Sequence, residues 1–358
     1  MTGRLPDFEQ PPFSGSPEAR FEPAPADGVM PEGFYSTSNL PTYVRVGTRW
    51  LLPTRPRMDG VVVRREGFLE TVEPRLVRRG EPVAMGAAED GSQGIVVHTE
   101  GFLGIGTSGN EFRFMSTAVS RERPVDYEEL AARLEEERRR EGYLVWVIGP
   151  ALVHARARVD FEWFVRSGYV QAALIGNAVA VHDIEAAIFG TTLGMTRTGD
   201  AAQGGHGLHM RAINQVRAVG SVEEAVRRGL VANGIMHSLV TARVPYVLAG
   251  SIRDDGPLPG VITDTLVAQD AMRDHTVRAT GAVFIATALH AIAVGNMLPA
   301  FHTHRGAPEP LMTICVDQTE FVVNKLRDRG THQAFGVVTN AQDFMHVFHH
   351  YVERCRQC

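Results

Sequence analysis

Two patterns of apolar and polar positions divide the chain. From about residue 33 to 120, short β-like runs recur: TYVRV, RWLLP, GVVVRR, GIVVH and EFRFMS. Gly and Pro turns separate them and no long helical period intervenes, which predicts a small β-rich domain. RPVDYEELAARLEEERRREG then reads as a helix, with Asp126 as its cap and a charged, solvated face. From 143 onward, apolar runs alternate with helical periods. YLVWVIGP, YVQAALIG, VPYVLAGS, AVFIA, LMTICVD and HQAFGVVTN read as strands. FEWFVRSG, AVHDIEAAIFG, DTLVAQDAMRDHTVRA, TALHAIAVGNML, TEFVVNKLRDRG and AQDFMHVFHHYVERC read as helices, and SVEEAVRRGLVANGIMHSLVTA as helical throughout. This alternation predicts an α/β fold, a Rossmann-like, doubly wound, mostly parallel sheet preceded by the β-rich domain. The expected boundaries are a flexible arm at 1–30, rich in Pro, Gly, Ser and Glu, a β-rich domain at 31–122 and the Rossmann-like domain at 123–358.

Composition narrows the function classes. The chain has 358 residues, 44% apolar and 22% charged, with a net charge of -5 and no basic block. That argues against nucleic acid as a partner. The longest apolar run, GAVFIATALHAIAVGNML, is interrupted by His290 and by glycines, so it reads as a buried strand and helix rather than a membrane span. No basic-then-apolar leader opens the chain, which suggests a cytoplasmic protein. Lys325 is the single lysine and falls in a helical pattern. Lysine imine chemistry is therefore disfavoured. Cys355 and Cys358 form one C-x-x-C at the end of a helix, a weak redox or zinc signal, and Cys315 reads as core.

Ligands of doubly wound sheets bind at the carboxyl ends of the strands. The candidates are Gly149-Pro150, Gly176-Asn177-Ala178, residues 251–256, Thr287 with Ala288, Leu289 and His290, Asp317, and Asn340-Ala341. At Gly176-Asn177-Ala178 a strand meets a helix, whose free N-terminal amides favour cofactor contact. Farther along that helix, Asp183 and Glu185 read as acidic first-turn residues that suit the helix dipole. Asp317 ends a buried strand. It could accept both hydroxyls of a ribose, favouring NAD over NADP, or cap the next helix. GIGTSG, at 104–109, matches a dinucleotide fingerprint, but strand-like NEFRFMS follows where a helix is needed. His206 and His209 have helical spacing without a third metal ligand, so acid/base work is the better reading and no metal is expected.

The stretches GFYSTSNLPTYVR, MDGVVV, EFRFMSTAVS, LIGNAVAVHDIEAAIFGTTLG, GGHGLHMRAIN, VLAGSIRDDGPLPGVITD, ALHAIAVGNMLP and ICVDQTEFVVNKLRDRG together resemble one family. It is that of the archaeal-type ornithine cyclodeaminases, the "LOR/SDH conserved region" proteins. It includes the C-terminal half of arginine dihydrolase/ornithine cyclodeaminase fusions. The resemblance runs from about 31 to 348. It implies bound NAD, with Asn177, Ala178, Asp255, Thr287, Ala288, Leu289, His290, Asp317, Asn340 and Ala341 at the cofactor. It also implies conversion of ornithine to proline and ammonia with NAD recycled, a role in arginine catabolism, and a homo-oligomer. On that reading Asp254 and His206 transfer protons. Arg45 binds the substrate carboxylate, because the 33–45 motif is elaborate for a plain β-domain. Three departures from the family pattern matter, one of them a longer link, FHTHRGAPEPL at 301–311, before the Cys-Val-Asp strand. Gly207 and Leu208 replace an Arg and a His, and Asn340 replaces a carboxylate. They keep open a related NAD enzyme on another diamino acid (a lysine or diaminobutyrate cyclodeaminase, or an amino-acid dehydrogenase), or a non-catalytic NAD-binding regulator.

Overall fold

The computed structural model describes residues 6–99, 125–196, 198–254, 256–304, 306–320, 322, 324 and 334–357. The chain divides into two compact units. The first takes Met1–Arg121 and recovers Gly295–Leu311 from much later in the chain; the second begins at Glu122.

The first unit holds β1 (Phe21–Pro23), β2 (Thr42–Val46), β3 (Arg49–Leu51), β4 (Val61–Arg65), β5 (Phe68–Val72), β6 (Pro82–Ala84) and β7 (Ile95–Val97). They form two antiparallel sheets, β1-β6-β4-β5 and β3-β2-β7. Alternating Val, Ile and Leu bury the inner faces. From residue 6 onward the expected N-terminal arm is part of this unit instead. Phe21–Pro23 pairs with β6, and the Phe8 ring stacks on Trp50 at 5.2 Å and meets Tyr43 edge-on at 4.8 Å. The Pro-rich composition hid these aromatic anchors. EFRFMS and the decoy GIGTSG lie outside the described residues.

The second unit holds α1 (Tyr127–Arg139), β8 (Leu144–Ile148), α2 (Ala151–His154), α3 (Arg158–Arg166), β9 (Ala172–Gly176), α4 (Asn177–Phe189), α5 (Leu208–Val219), α6 (Val222–Arg227), α7 (Ile235–Thr241), β10 (Tyr246–Ala249), α8 (Thr265–Thr276), β11 (Gly281–Ile285) and α9 (Ala288–Met297). Past the hairpin β12 (Phe301–His304) and β13 (Ala307–Pro310), which joins the first unit, come β14 (Met312–Asp317), β15 (Ala334–Val338) and α10 (Ala341–Gln357). The strands form one parallel sheet, β10-β9-β8-β11-β14-β15. This is the Rossmann order, with its switch point between β8 and β11. The fold is thus a Rossmann-like α/β sheet preceded by an antiparallel β-rich region. The strands are buried on both faces, and their continuous apolar runs follow from helices covering each side.

Of the helix signals read from sequence, the Asp126 cap holds and the continuous helix from Ser221 fails. The side chains of Asp126 and Asp264 cap α1 and α8. The stretch read as helical from Ser221 is broken into α6 and α7. Gly229 at φ +74° and Gly234 at φ +105° turn the chain where a continuing helix would need negative φ. Cys315 is buried in β14, as a core thiol. Among the described residues no helix is long and apolar enough to cross a membrane.

Candidate functional site

Parallel register brings the strand ends into one row. Ile148 lies beside Ile175 and Ile285, Gly176 beside Ala249, Ile285 beside Val316, and Asp317 beside Val338. Asn177, Ala178, Asp254, Thr287, Ala288, Leu289, His290, Asp317, Asn340 and Ala341 therefore gather at the carboxyl end of one sheet. Asp255 lies outside the described residues.

At the switch point the backbone is drawn tight. The Gly149 amide donates to the Ile285 carbonyl at 2.8 Å, and a Cβ on Gly149 would lie 1.8 Å from the Ala286 carbonyl oxygen. Only glycine fits there. Ala286 adopts φ +53°, a left-handed conformation rare for alanine, one residue before Thr287. Strain at a strand end is a mark of functional sites. Gly176 is equally confined, since a Cβ on it would lie 2.7 Å from the His290 ring.

Asn177 does more than open a helix. Its side chain is buried, and Oδ1 accepts the Leu258 amide at 3.1 Å. It thereby ties the turn after β9 to the loop after β10. That loop is braced again by Asp254, whose Oδ2 accepts the Ser251 amide at 2.8 Å. Arg217 clamps it from α5, donating to the Pro257 carbonyl at 2.8 and 3.2 Å. α4 has no side-chain cap, so its leading amides face the strand-end crest unclaimed by any cap. Burial pushes the His290 pKa below the ordinary histidine value, and the nearby Asp254 carboxylate partly offsets it.

Asp317 caps locally: Oδ1 accepts the Thr319 amide at 3.0 Å and the Thr319 hydroxyl at 2.9 Å. Asn340 accepts the Asp343 amide at 2.8 Å through Oδ1, as an N-cap of α10. Large apolar side chains crowd the same crest in the open. Ile252, Leu289 and Val338 are 106%, 73% and 51% exposed. Apolar groups left uncovered beside polar backbone suit a ligand with flat rings.

Other expected residues fall elsewhere. His206 stands exposed in the turn Gly205–Gly207, and no described contact brings it to Asp254. His209 is half-buried on α5. A Cβ at Gly207 would meet nothing within 4 Å, while Leu208 is buried in the core face of α5. Arg45 has a structural task in the first unit. Its guanidinium donates to the carbonyls of Phe13 at 3.2 Å, Ser14 at 3.3 Å, Gly47 at 3.3 Å and also Ser16. These bonds run from Nε and Nη1 and hold the N-terminal segment onto β2.

Asp183 and Glu185 are not first-turn dipole residues either. Both are fully buried, with partners of their own. The sequence did carry a signal for them: two acids on the helix AVAVHDIEAAIF, otherwise almost wholly apolar, demand internal partners.

The comparisons with known proteins agree with the fold. The chain matches a family profile described as "Arginine dihydrolase ArgZ-like, C-terminal, Rossmann fold" over residues 128–348. The companion "first region" profile matches residues 41–128. An ornithine cyclodeaminase of Methanopyrus kandleri is 45% identical over 338 residues, covering 92% of this chain and 77% of that protein. The crystal structure of a LOR/SDH protein from Methanococcus maripaludis S2 superposes with a TM-score of 0.85 at 38% identity, covering 95% of this chain and 99% of that one. The ternary complex of AgrE with ornithine and NAD+ superposes at a TM-score of 0.59 and 33% identity, covering 96% of this chain and 47% of AgrE.

Proposed function

From the premise that the chain belongs to the ArgZ-like C-terminal family, which includes ornithine cyclodeaminases, we propose that it is an NAD-dependent ornithine cyclodeaminase. The observation that carries the reading is the strand-end row, in which Asn177, Ala178, Thr287, Ala288, Leu289, His290 and Asp317 converge at the switch point of a Rossmann sheet. AgrE, a relative of the same fold, binds both ornithine and NAD+.

The residues present fit a dinucleotide. The confined Gly149 and Gly176 let backbone approach closely, the uncapped start of α4 offers amides to phosphate, and Leu289, Ile252 and Val338 offer apolar cover to rings. Asn177 acts mainly by fixing the loop that carries Asp254 and Asp255. Asp317 keeps a second carboxylate oxygen for ribose hydroxyls while the first caps Thr319. Asn340 acts as a helix cap that presents Ala341. NAD supplies a reversible hydride acceptor for the α-carbon of a diamino acid, so that ring closure by the terminal amine, loss of ammonia and hydride return yield proline from ornithine without net oxidation.

Asp254 is assigned to proton transfer at the substrate amines. Its carboxylate acts electrostatically on His290, whose imidazole burial shifts toward the neutral form. His206 is the second proton-transfer residue, carried on an exposed turn. Incubating the purified chain with NAD and ornithine is expected to form proline with no net NADH. Stoichiometric NADH would reject redox-neutral turnover. A second reading, another diamino acid as substrate, draws on the unfilled space at Gly207 and on the burial of Leu208. A panel of diamino acids ranked by kcat/KM decides between them. Binding of NAD without turnover of any of them would point to a regulator.

A further inference from the structure

We propose that Glu185 is a positioning residue. It acts through the backbone of Leu193, Gly194 and Gly205 to hold His206 in place, and its catalytic purpose rests on the ornithine cyclodeaminase reading above. Glu185 lies on α4 and is fully buried. A buried carboxylate must be paired or hydrogen-bonded. Among the described residues no arginine or lysine pairs with it. Its partners are a loop and one imidazole. The Thr191 hydroxyl and the Gly194 amide each donate to Oε1 at 2.9 Å. The Leu193 amide donates to Oε2 at 3.2 Å, with His182 Nδ1 at 3.4 Å from the same oxygen. Burial alone would raise its pKa, but these bonds outweigh it and hold the carboxyl below the usual range.

The loop so held has a demanding backbone. Leu193 adopts φ +51°, a left-handed conformation that costs a leucine about 1 kcal/mol. Its side chain is 58% exposed, so packing does little to offset that cost. The bond from its amide to Glu185 helps retain the conformation, together with the reciprocal Thr192–Met195 backbone bonds at 3.0 and 2.9 Å that close the turn. Gly194 follows at φ +70°, and its carbonyl accepts the Ala202 amide at 2.9 Å. A Cβ on Gly194 would lie 2.5 Å from the Gly205 carbonyl carbon, and one on Gly205 would lie 2.5 Å from the Gly194 carbonyl oxygen. Gly205 directly precedes His206. A continuous path of contact therefore runs from the carboxylate to the histidine turn.

A second element secures the same loop. His154, on α2, lies 2.5 Å through Nδ1 from the Thr192 hydroxyl. Its ring meets His182 edge to face at 4.7 Å. The loop is thus gripped from α4 by Glu185 and from α2 by His154, within the second unit.

Two variants of the full chain separate the parts of this device. Glu185→Gln keeps the shape but leaves one acceptor oxygen where two served. Gly205→Ala leaves the carboxylate intact and forces the two glycine backbones apart. Both are expected to lower kcat for ornithine by roughly tenfold to a hundredfold while NAD affinity stays within about threefold. Amide hydrogen exchange supplies a readout independent of turnover. In Glu185→Gln, exchange should quicken at Leu193, Gly194 and residues 205–208 while β8 and β9 keep their protection. Unchanged kcat with unchanged exchange overturns the proposal, and so does a loss of NAD affinity and protection throughout the unit. If the unaltered chain turns over no diamino acid yet Glu185→Gln loosens 193–208 alone, the holding role stands and the ornithine reading is the part that fails.

Discussion

On α4, Asp183 faces two neighbouring helices and Glu185 faces a loop. Both carboxylates are fully buried, yet their partners differ in kind. Asp183 pairs with the Arg158 guanidinium and caps α7, accepting the Ile235 amide at 2.9 Å and the Met236 amide at 2.8 Å. Gly234 completes that joint, because a Cβ there would lie 2.0 Å from Arg158. Among the described residues Glu185 meets no guanidinium; its partners are the His182 ring and amides and a hydroxyl of the loop 191–194. A carboxylate with a fixed counterion locks scaffold to scaffold. One satisfied by loop amides makes the shape of that loop depend on the carboxylate.

The sharpest way to break this contrast is stability. Asp183→Ala removes a fully buried carboxylate from the half-buried Arg158 and from two α7 amides, and is expected to cost about 3–5 kcal/mol. Glu185→Gln should cost about 1–2 kcal/mol, since it weakens hydrogen bonds without orphaning a cation. Denaturant unfolding of both variants checks the order, and equal losses would dissolve the distinction.

The loop side should also answer to pH. Burial, with the adjacent His182, pushes the His154 pKa down to about 4 from 6.5. Between those values the unfolded chain binds the proton that the folded chain refuses, so stability falls as pH drops from about 6.5 to about 4. Allowing for partial exposure, the loss is on the order of 1–3 kcal/mol. Glu185, with its pKa held low, adds its own loss only near the bottom of that window. Melting curves of the unaltered chain and of His154→Leu should diverge across this range; parallel curves would remove His154 from the grip.

Cofactor affinity tests the first turn of α4 against the middle of the helix. Asn177→Ala frees the loop at Leu258 and is expected to weaken NAD by about 1–2 kcal/mol, roughly tenfold. His182→Ala should weaken it less. The reverse order, measured by NAD titration, would put His182 rather than Asn177 at the cofactor. The smallest effect belongs to Leu193→Gly. Relief of left-handed strain and greater unfolded-state freedom are each about 1 kcal/mol and nearly cancel. A large stability loss there would mean that the exposed side chain packs against something essential.

Much of the fold was legible in the sequence. LVWVI, AALIG, GAVFI and MTICVD are short, apolar and bounded by turns, and each became a central strand. Strand ends followed, and with them most of the proposed cofactor residues. The failures share a cause. Nothing in the sequence signalled that Arg45 would reach carbonyls 29 to 32 residues earlier in the chain. The segment 6–30 looked like a flexible arm because aromatic contacts to Tyr43 and Trp50 and one short strand, not a periodic pattern, anchor it. Asp183 and Glu185 could be seen as acids on an apolar helix, but not whom they would meet.

By itself the sequence determined the order of strands and helices and so which residues stand at the carboxyl ends of the sheet. Periodicity and turn chemistry are local, and local signals survive without a fold. Only the tertiary structure decided what those residues touch. The partner of Asn177 lies 81 residues away, those of Asp183 lie 52 and 53 residues away, and Gly149 is confined by a strand end at Ala286. Such pairings come from the return of the chain in three dimensions, where burial demands a partner but the approaching backbone selects it.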